Sequence, residues 1–208
     1  TPFCDAMEQA TGNRPLFLPC DISVTDQLQL TLSTAAKAQG PITVLVNNAA
    51  NDQRHDTLKT DETFWEWSIN VNLRSFFFAC QSVIPGMQAA GGGSIVNFSS
   101  ISFMMADKGY AAYITANAGI VGLTRTLARE FGPDRIRVNA VAPGWVLTER
   151  QKEMWVTPEA LANHLARQCL PDPIQPGDVA GTVLFLASNA SRMMTSQTLV
   201  LDGGYISG

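Results

Sequence analysis

The chain has 208 residues, of which 46% are hydrophobic and 15% charged, and carries a net charge of −4. That length builds one large domain or two small ones with a substantial core, and without a basic block or an Arg/Lys run interleaved with aromatics it argues against a nucleic-acid partner. No apolar run approaches the roughly 18–20 residues of a membrane span, and "TPFCDAMEQATG" has neither the basic nor the apolar region of a secretory signal.

Cys4, Cys20, Cys80 and Cys169 are scattered without C-x-x-C spacing, so they read as buried or incidental thiols of a reducing cytoplasm. His55 and His164 are too few and too far apart in sequence to suggest a metal site.

In chain order, "RPLFLPCD" (14–21) predicts a strand and "VTDQLQLTLSTAAKAQG" (24–40) a helix ending at Gly40. "ITVLVNNA" (42–49) has the uniformly apolar character of a buried strand. Residues 61–92 predict a long helix or helix pair, with Asp61 as N-cap and Gly91 as the stop. "GSIVNFSS" (93–100) is a strand, 110–131 a helix and "IRVNAVAPG" (136–144) a strand. A loop follows, with a short helix opening at "TPEA" (157–160), where Thr157 caps and Pro158 lies in the first turn. The helix "GDVAGTVLFLAS" (177–188) and the strand "QTLVLDGG" (197–204) close the chain.

Strands without polar alternation, separated by helices, imply an α/β domain with a doubly wound, Rossmann-like parallel sheet. No linker or internal repeat divides it, so 1–208 reads as a single domain with a substrate lid at about 145–176. Ligands of such sheets bind beyond the carboxyl ends of the strands. Attention therefore falls on Asp21, Asn47–Ala50, Ser99–Ser102 and Pro143–Thr148.

Tyr113 and Asn117 are four residues apart and share one helical face. Ser100 ends a strand and Asn72 lies inside the long helix. Together they suggest a hydroxyl pair on a substrate oxygen, Ser100 orienting it and Tyr113 moving the proton. A phenol titrates near pH 10, so it needs a neighbour that stabilises the phenolate. A neutral amide at 117 lacks a cation's charge, but it can hydrogen-bond a ribose hydroxyl or a water. Taken singly, each feature has a plainer explanation: a helical tyrosine packs, serines after a strand cap a turn, Asn47–Asn48 form a turn, Phe76–Phe78 and Met104–Met105 pack in the core or the lid, and Cys80 is a small buried hydrophobe.

These segments resemble the short-chain dehydrogenase/reductase family over essentially the whole chain. "VNNAA" is similar to the family's N-N-A-G, "INVNL" to its asparagine helix and "SIVNFSSIS" to its serine strand. "YITANAGIVGLTRTLARE" resembles Y-x-x-x-K and its continuation, "RVNAVAPGWVLT" the P-G segment, and "FLAS…LDGG" the C-terminal signature. The resemblance implies hydride transfer between an alcohol and a carbonyl with NAD or NADP. It implies a catalytic set of Ser100, Tyr113, Asn117 and Asn72, with Asn72 holding a relay water. Asp21 and Ile22 would flank the adenine, Asn48, Ala49 and Ala50 the adenosine ribose, and Pro143, Gly144, Val146 and Thr148 the nicotinamide.

Three departures stand out: Ala50 in place of glycine, Asn117 in place of lysine, and no glycine-rich turn preceding Arg14. The family's first strand, glycine loop, helix and second strand would lie between 14–21 and 42–49 in the sheet, so the resemblance implies residues beyond these 208 or a partial domain with an exposed edge. A narrower resemblance, through "NNAANDQRH", "PGWVLTERQ" and "RQCLPDPIQPGDVAG", points to aldose 1-dehydrogenases, which oxidise the anomeric hydroxyl to a lactone. Asn51, Arg54, His55, Ser102, Trp145 and Arg150 are then the candidate substrate residues. The alternatives are a carbonyl, keto-acyl or steroid-type reductase, for which Trp155 would be a lid residue, and a silent member acting as a binding or scaffold protein. Family members commonly pair the 61–92 and 110–131 helices in homodimers or homotetramers.

Overall fold

The computed structural model describes residues 1–105, 107–154 and 156–207. The chain opens with helix α1 (Pro2–Thr11), which sequence periodicity does not announce, and continues with α2 (Thr25–Gln39). Strand β1 (Val44–Asn47) leads to α3 (Glu62–Ile69) and α4 (Ser75–Ala89), joined by a π-helical turn at Asn70–Arg74. Then come β2 (Gly93–Phe98), α5 (Ala111–Phe131) and β3 (Ile136–Pro143). After β3 come α6 (Glu149–Met154) and α7 (Pro158–Leu165), followed by α8 (Pro176–Ala187) and β4 (Thr198–Leu201).

The four strands form one parallel sheet in the order β1-β2-β3-β4. Local chemistry sets the helix boundaries where the sequence places them. Asp61 accepts a hydrogen bond from the Phe64 amide at 2.8 Å, and Thr157 accepts one from the Ala160 amide at 3.1 Å. Helix α2 ends at Gly40, whose φ of +89° is open to a residue without Cβ.

Helices α4 and α5 cover one face of the sheet and α8 the other. On the first face Leu45, Ile95 and Val138 meet Val83, Ile84 and Met87 of α4 and Leu127 of α5. On the second, Val96 and Val141 meet Leu186 of α8. Each fully buried aliphatic side chain of this size contributes about 1.5–3 kcal/mol of transfer free energy. A polar chain crosses the first face: Asn47 Nδ2 donates to Asn97 Oδ1 at 2.9 Å, and Asn97 Nδ2 donates to Thr124 Oγ1 at 3.0 Å. These bonds tie β1, β2 and α5 together at the strand ends that carry the site. Cys80 is fully buried beside them, and burial pushes its thiol up to about 12, so it stays protonated and acts as a small core residue.

Two expectations need correction. Residues 14–21 form no strand: they run unpaired, with Leu16 and Phe17 exposed and Cys20 and Ile22 packed onto the core from the side. Apolar residues alone do not make a strand without a neighbour for the backbone ladder. Strand β1 is not buried on both faces either: Val44 is 43% and Val46 40% exposed, while Leu45 between them is 9%. At the sheet edge, β1 meets α4 on the Leu45 side. Among the described residues, no helix is long and apolar enough to cross a membrane.

Candidate active site

A cleft of about 1200 Å³ opens at the carboxyl ends of the strands, slightly above the usual size of a small-molecule pocket. Asn48, Ala50, Asp52 and Arg54 follow β1, Ser99–Ser102 follow β2, Pro143–Val146 end β3, and Tyr205 follows β4. Parallel strands all present their carboxyl ends at one edge, so residues distant in sequence converge there.

Tyr113, Asn117, Ser100 and Asn72 all line this cleft. Helix α5 places Tyr113 and Asn117 one turn apart, and Asn117 Nδ2 donates to the Tyr113 carbonyl at 2.9 Å. Ser99 Oγ donates to the Asn117 carbonyl at 3.0 Å, locking α5 against the end of β2. Ser100 caps the 3₁₀ turn Ile101–Phe103 by accepting the Ser102 amide at 3.2 Å. Burial raises the Tyr113 phenol above its ordinary range; hydrogen bonding from Asn117 works against it, Asp52 reinforces it, and Ser100 and Arg54 oppose it. Asn117 thus partly compensates for burial, though without a full charge.

Tyr113 also belongs to a stack. Its ring lies 5.7 Å from that of Tyr110 at an interplanar angle of 25°, and the Arg54 guanidinium sits 3.6 Å from the Tyr110 centroid. The Tyr110 hydroxyl donates to Asp107 at 2.6 Å, and burial, followed by that bond, pushes Tyr110 up to about 12. Tyr110 therefore stays neutral and leaves Tyr113 as the tyrosine beside Ser100.

Asn72 sits in the π turn, where the widened helix admits a loop. Its Oδ1 accepts the Asn51 amide at 2.8 Å, and its Nδ2 donates to the Asn51 carbonyl at 3.0 Å and the Ser68 carbonyl at 2.9 Å. The side chain braces the loop after β1 and retains one lone pair on Oδ1.

Of the expected cofactor residues, Asn48, Ala50, Pro143, Gly144, Val146 and Thr148 line the cleft; Asp21, Ile22 and Ala49 do not. Asp21 instead accepts the amide and hydroxyl of Ser23, which hold its carboxyl below the usual range, and Ile22 packs on the core. Gly144 has a packing reason: a Cβ there would lie 3.0 Å from the Asp202 backbone. Of the expected substrate residues, Arg54, Ser102, Trp145 and Arg150 line the cleft, whereas Asn51 is engaged with Asn72. His55 stands aside as a strut: its ring packs 4.7 Å from Phe64, its amide donates to the Gly109 carbonyl, and its Nε2 lies 3.4 Å from the Ala112 amide. Trp155 lies outside the described residues.

The segment after β3 is held by three side-chain contacts. Thr148 Oγ1 accepts the Gln151 amide at 3.2 Å, Trp145 Nε1 donates to Gln151 Oε1 at 2.9 Å, and Arg150 reaches Asp52 at 3.5 Å. His164 of α7 and Tyr205 also line the cleft, although neither follows from the sequence motifs. Tyr205 directly follows the "LDGG" segment, which was the available signal for it. Asp202 organises that segment: its carboxylate accepts the Gly204 amide at 2.8 Å and the Ile206 amide at 2.9 Å. Replacing Asp202 by Ala should lower stability by about 1–2 kcal/mol, since two part-buried amides lose their partner. Urea unfolding checks this, and an unchanged midpoint would show the turn to be self-supporting. Among the described residues, no group of three or more His, Cys, Asp or Glu could hold a metal ion.

Helices on both faces of a parallel sheet, with this cleft at its carboxyl edge, make a Rossmann-like α/β fold. The family model described as "Enoyl-(Acyl carrier protein) reductase" matches residues 2–206, and the chain belongs to the short-chain dehydrogenase/reductase family of NAD(P)-dependent oxidoreductases. It is 46% identical over 201 residues to the "Probable galactose dehydrogenase GalD" of Rhizobium meliloti, covering 97% of this chain and 78% of that one. It is 44% identical over 191 residues to the D-xylose 1-dehydrogenase of Caulobacter vibrioides, covering 92% and 75% respectively. The crystal structure of an Agrobacterium tumefaciens "putative gluconate dehydrogenase" superposes with a TM-score of 0.93 at 27% identity, covering 100% of this chain and 81% of that one.

Proposed function

We propose that this enzyme oxidises the anomeric hydroxyl of an aldose to a lactone, using NAD or NADP. The observation that carries this reading is the convergence of Tyr113, Ser100 and Asn117 in one cleft whose rim holds Asp52, Arg54, Arg150 and Gln151. A rim of charged and amide groups suits a substrate with several hydroxyls, and the galactose- and xylose-dehydrogenase relatives point the same way.

The cofactor fit is uneven along the cleft. Gly144 and Pro143 keep the floor small, and Asn48, Val146 and Thr148 add polar atoms and backbone, which suits the nicotinamide and its ribose. Asp21 Oδ1 accepts from Ser23 and the Ile22 side chain packs on the core, both outside the lining of this cleft. When bound, the nicotinamide supplies the acceptor for the hydride from the anomeric carbon. Ser100 Oγ donates to the substrate oxygen and aligns it. The Tyr113 phenolate takes the hydroxyl proton as the C–H bond breaks, which leaves the lactone carbonyl. Asn117, one turn on, donates to the phenolate or to a ribose hydroxyl, and the remaining Asn72 Oδ1 lone pair holds a water that passes the proton outward.

The test is a steady-state assay with NAD and NADP across aldoses and simple secondary alcohols, with the lactone identified by NMR. Turnover of galactose- or xylose-type aldoses supports the reading. Turnover confined to apolar ketones and alcohols would replace it with the carbonyl-reductase alternative, and no turnover at any pH would favour the binding-protein alternative. We also assign the α4–α5 side as a subunit contact in a homodimer or homotetramer, since Phe77 is 43% exposed on α4 and Gly122 of α5 has nothing near its Cβ position. Light scattering reads that state directly.

A further inference from the structure

The phenol of Tyr113 is buried, and a buried phenol gives up its proton only against the cost of hiding the charge that forms. The Asn117 amide carries no charge to offset this, so the fixed charges around the ring decide how readily the phenolate forms. Asp52 and Arg54 stand on the loop after β1, Tyr110 and Asp107 just precede α5, and all four line the cleft with Tyr113. Arg150 reaches the same cleft from α6. His55 also approaches, but its Nε2 lies against the Ala112 amide at 3.4 Å.

A stack fixes where the Arg54 charge stands. The guanidinium lies 3.6 Å from the Tyr110 ring centroid, and that ring lies 5.7 Å from the Tyr113 ring at 25°. At the largest separation these two distances allow, about 9 Å, and an effective dielectric near 20, a unit positive charge lowers a phenol by about one pK unit. Arg54 is exposed, so counter-ions take back part of this and leave about half to one unit. Tyr110 holds the arrangement without taking up the charge: its hydroxyl donates to Asp107 at 2.6 Å and its phenol is pushed up to about 12, so it stays a neutral spacer. Asp52 acts on the Tyr113 phenol in the opposite sense, and its ion pair with Arg150 at 3.5 Å offsets part of that negative charge.

We propose that Arg54 is a positioning residue for the proton transfer: seated on the Tyr110 ring, it supplies a fixed positive charge that favours the Tyr113 phenolate, with Asp52 and its partner Arg150 as the counterweight. The direction of each effect follows from charge alone. A cation favours the phenolate, so Arg54 moves the working range of the phenol to lower pH, whereas Asp52 moves it to higher pH. Removing one charge or the other therefore displaces the phenol in opposite directions. Loss of packing would instead lower the rate at every pH and leave the profile where it stands.

This inference rests on Tyr113 being the proton acceptor, as proposed above, and its test is read on the phenol itself as well as on turnover. The chain has three tyrosines, so NMR of ¹³Cζ-labelled tyrosine follows Tyr113 without any substrate, with Tyr113→Phe giving the assignment. Arg54→Gln is expected to raise the Tyr113 titration by about half to one pK unit and to lower the limiting rate of aldose oxidation at pH 7 about three- to tenfold. Arg54→Lys, which keeps the charge, should recover most of both changes, and Asp52→Asn should move the titration downward. Far-UV dichroism and melting show that the variants are folded. A Tyr113 titration that does not move in Arg54→Gln, or that moves the same way in Arg54→Gln and Asp52→Asn, overturns the proposal. So does a Tyr113 signal that stays neutral up to alkaline unfolding in the parent and both variants. A change confined to KM, with the titration unmoved, makes Arg54 a substrate contact and overturns it too. The expected titration shifts without turnover by the parent would overturn only the proposed reaction.

Discussion

Tyr113→Phe is expected to reduce aldose oxidation by about 10²- to 10⁴-fold, the usual contribution of a positioned proton-transfer group. The substitution removes the hydroxyl and leaves the ring, which stacks on Tyr110 at 5.7 Å, so the fold should be preserved. KM should change little against this loss in kcat, because a residue that moves the proton acts in the transition state. Stopped-flow or steady-state kinetics with equal folded concentrations check this. A loss below threefold would mean that another group takes the proton. Tyr110 is the other phenol of the stack, but burial and its bond to Asp107 push it up to about 12, which keeps it protonated at the working pH.

The second large effect concerns the position one turn further on. The proposed oxidation uses the Tyr113 phenolate, and burial raises the phenol above its ordinary value, so the rate should climb with pH through neutrality and remain on its rising limb at pH 9. Asn117→Lys places an ammonium where the amide now stands. At about 4 Å and an effective dielectric near 20, that charge contributes on the order of 4 kcal/mol, or about three pK units. Residue 117 is 2% exposed, so desolvation of the lysine takes back part of this. The expected outcome is about a 10- to 100-fold higher rate at pH 7. The variant and parent should converge at high pH, where the phenol ionises unaided. Asp52, Arg54, Ser100 and Tyr110 also act on this phenol, so parallel profiles for the two proteins would show that the Arg54 side of the stack already supplies the charge.

Much of this architecture is legible in the sequence because it depends on short-range chemistry. The apolar runs ending at Phe98 and Pro143, the caps Asp61 and Thr157, and the pairing of Tyr113 with Asn117 follow from periodicity and hydrogen-bonding capacity. The convergence of Asn48, Ser100 and Pro143 also follows, since a parallel sheet brings all its carboxyl ends to one edge.

What tertiary structure alone decides is which groups are paired with something else. "RPLFLPCD" has the composition of a strand, but a strand exists only through its ladder, and among the described residues none pairs with this segment. His55 and Asn51 carry suitable chemistry for a substrate, yet Gly109 and Phe64 engage the first and Asn72 the second. His164, unremarkable in the sequence, reaches the cleft wall because Tyr205 and Trp145 pack against its ring. A side chain's chemical type is written locally, but its availability depends on what long-range packing brings against it.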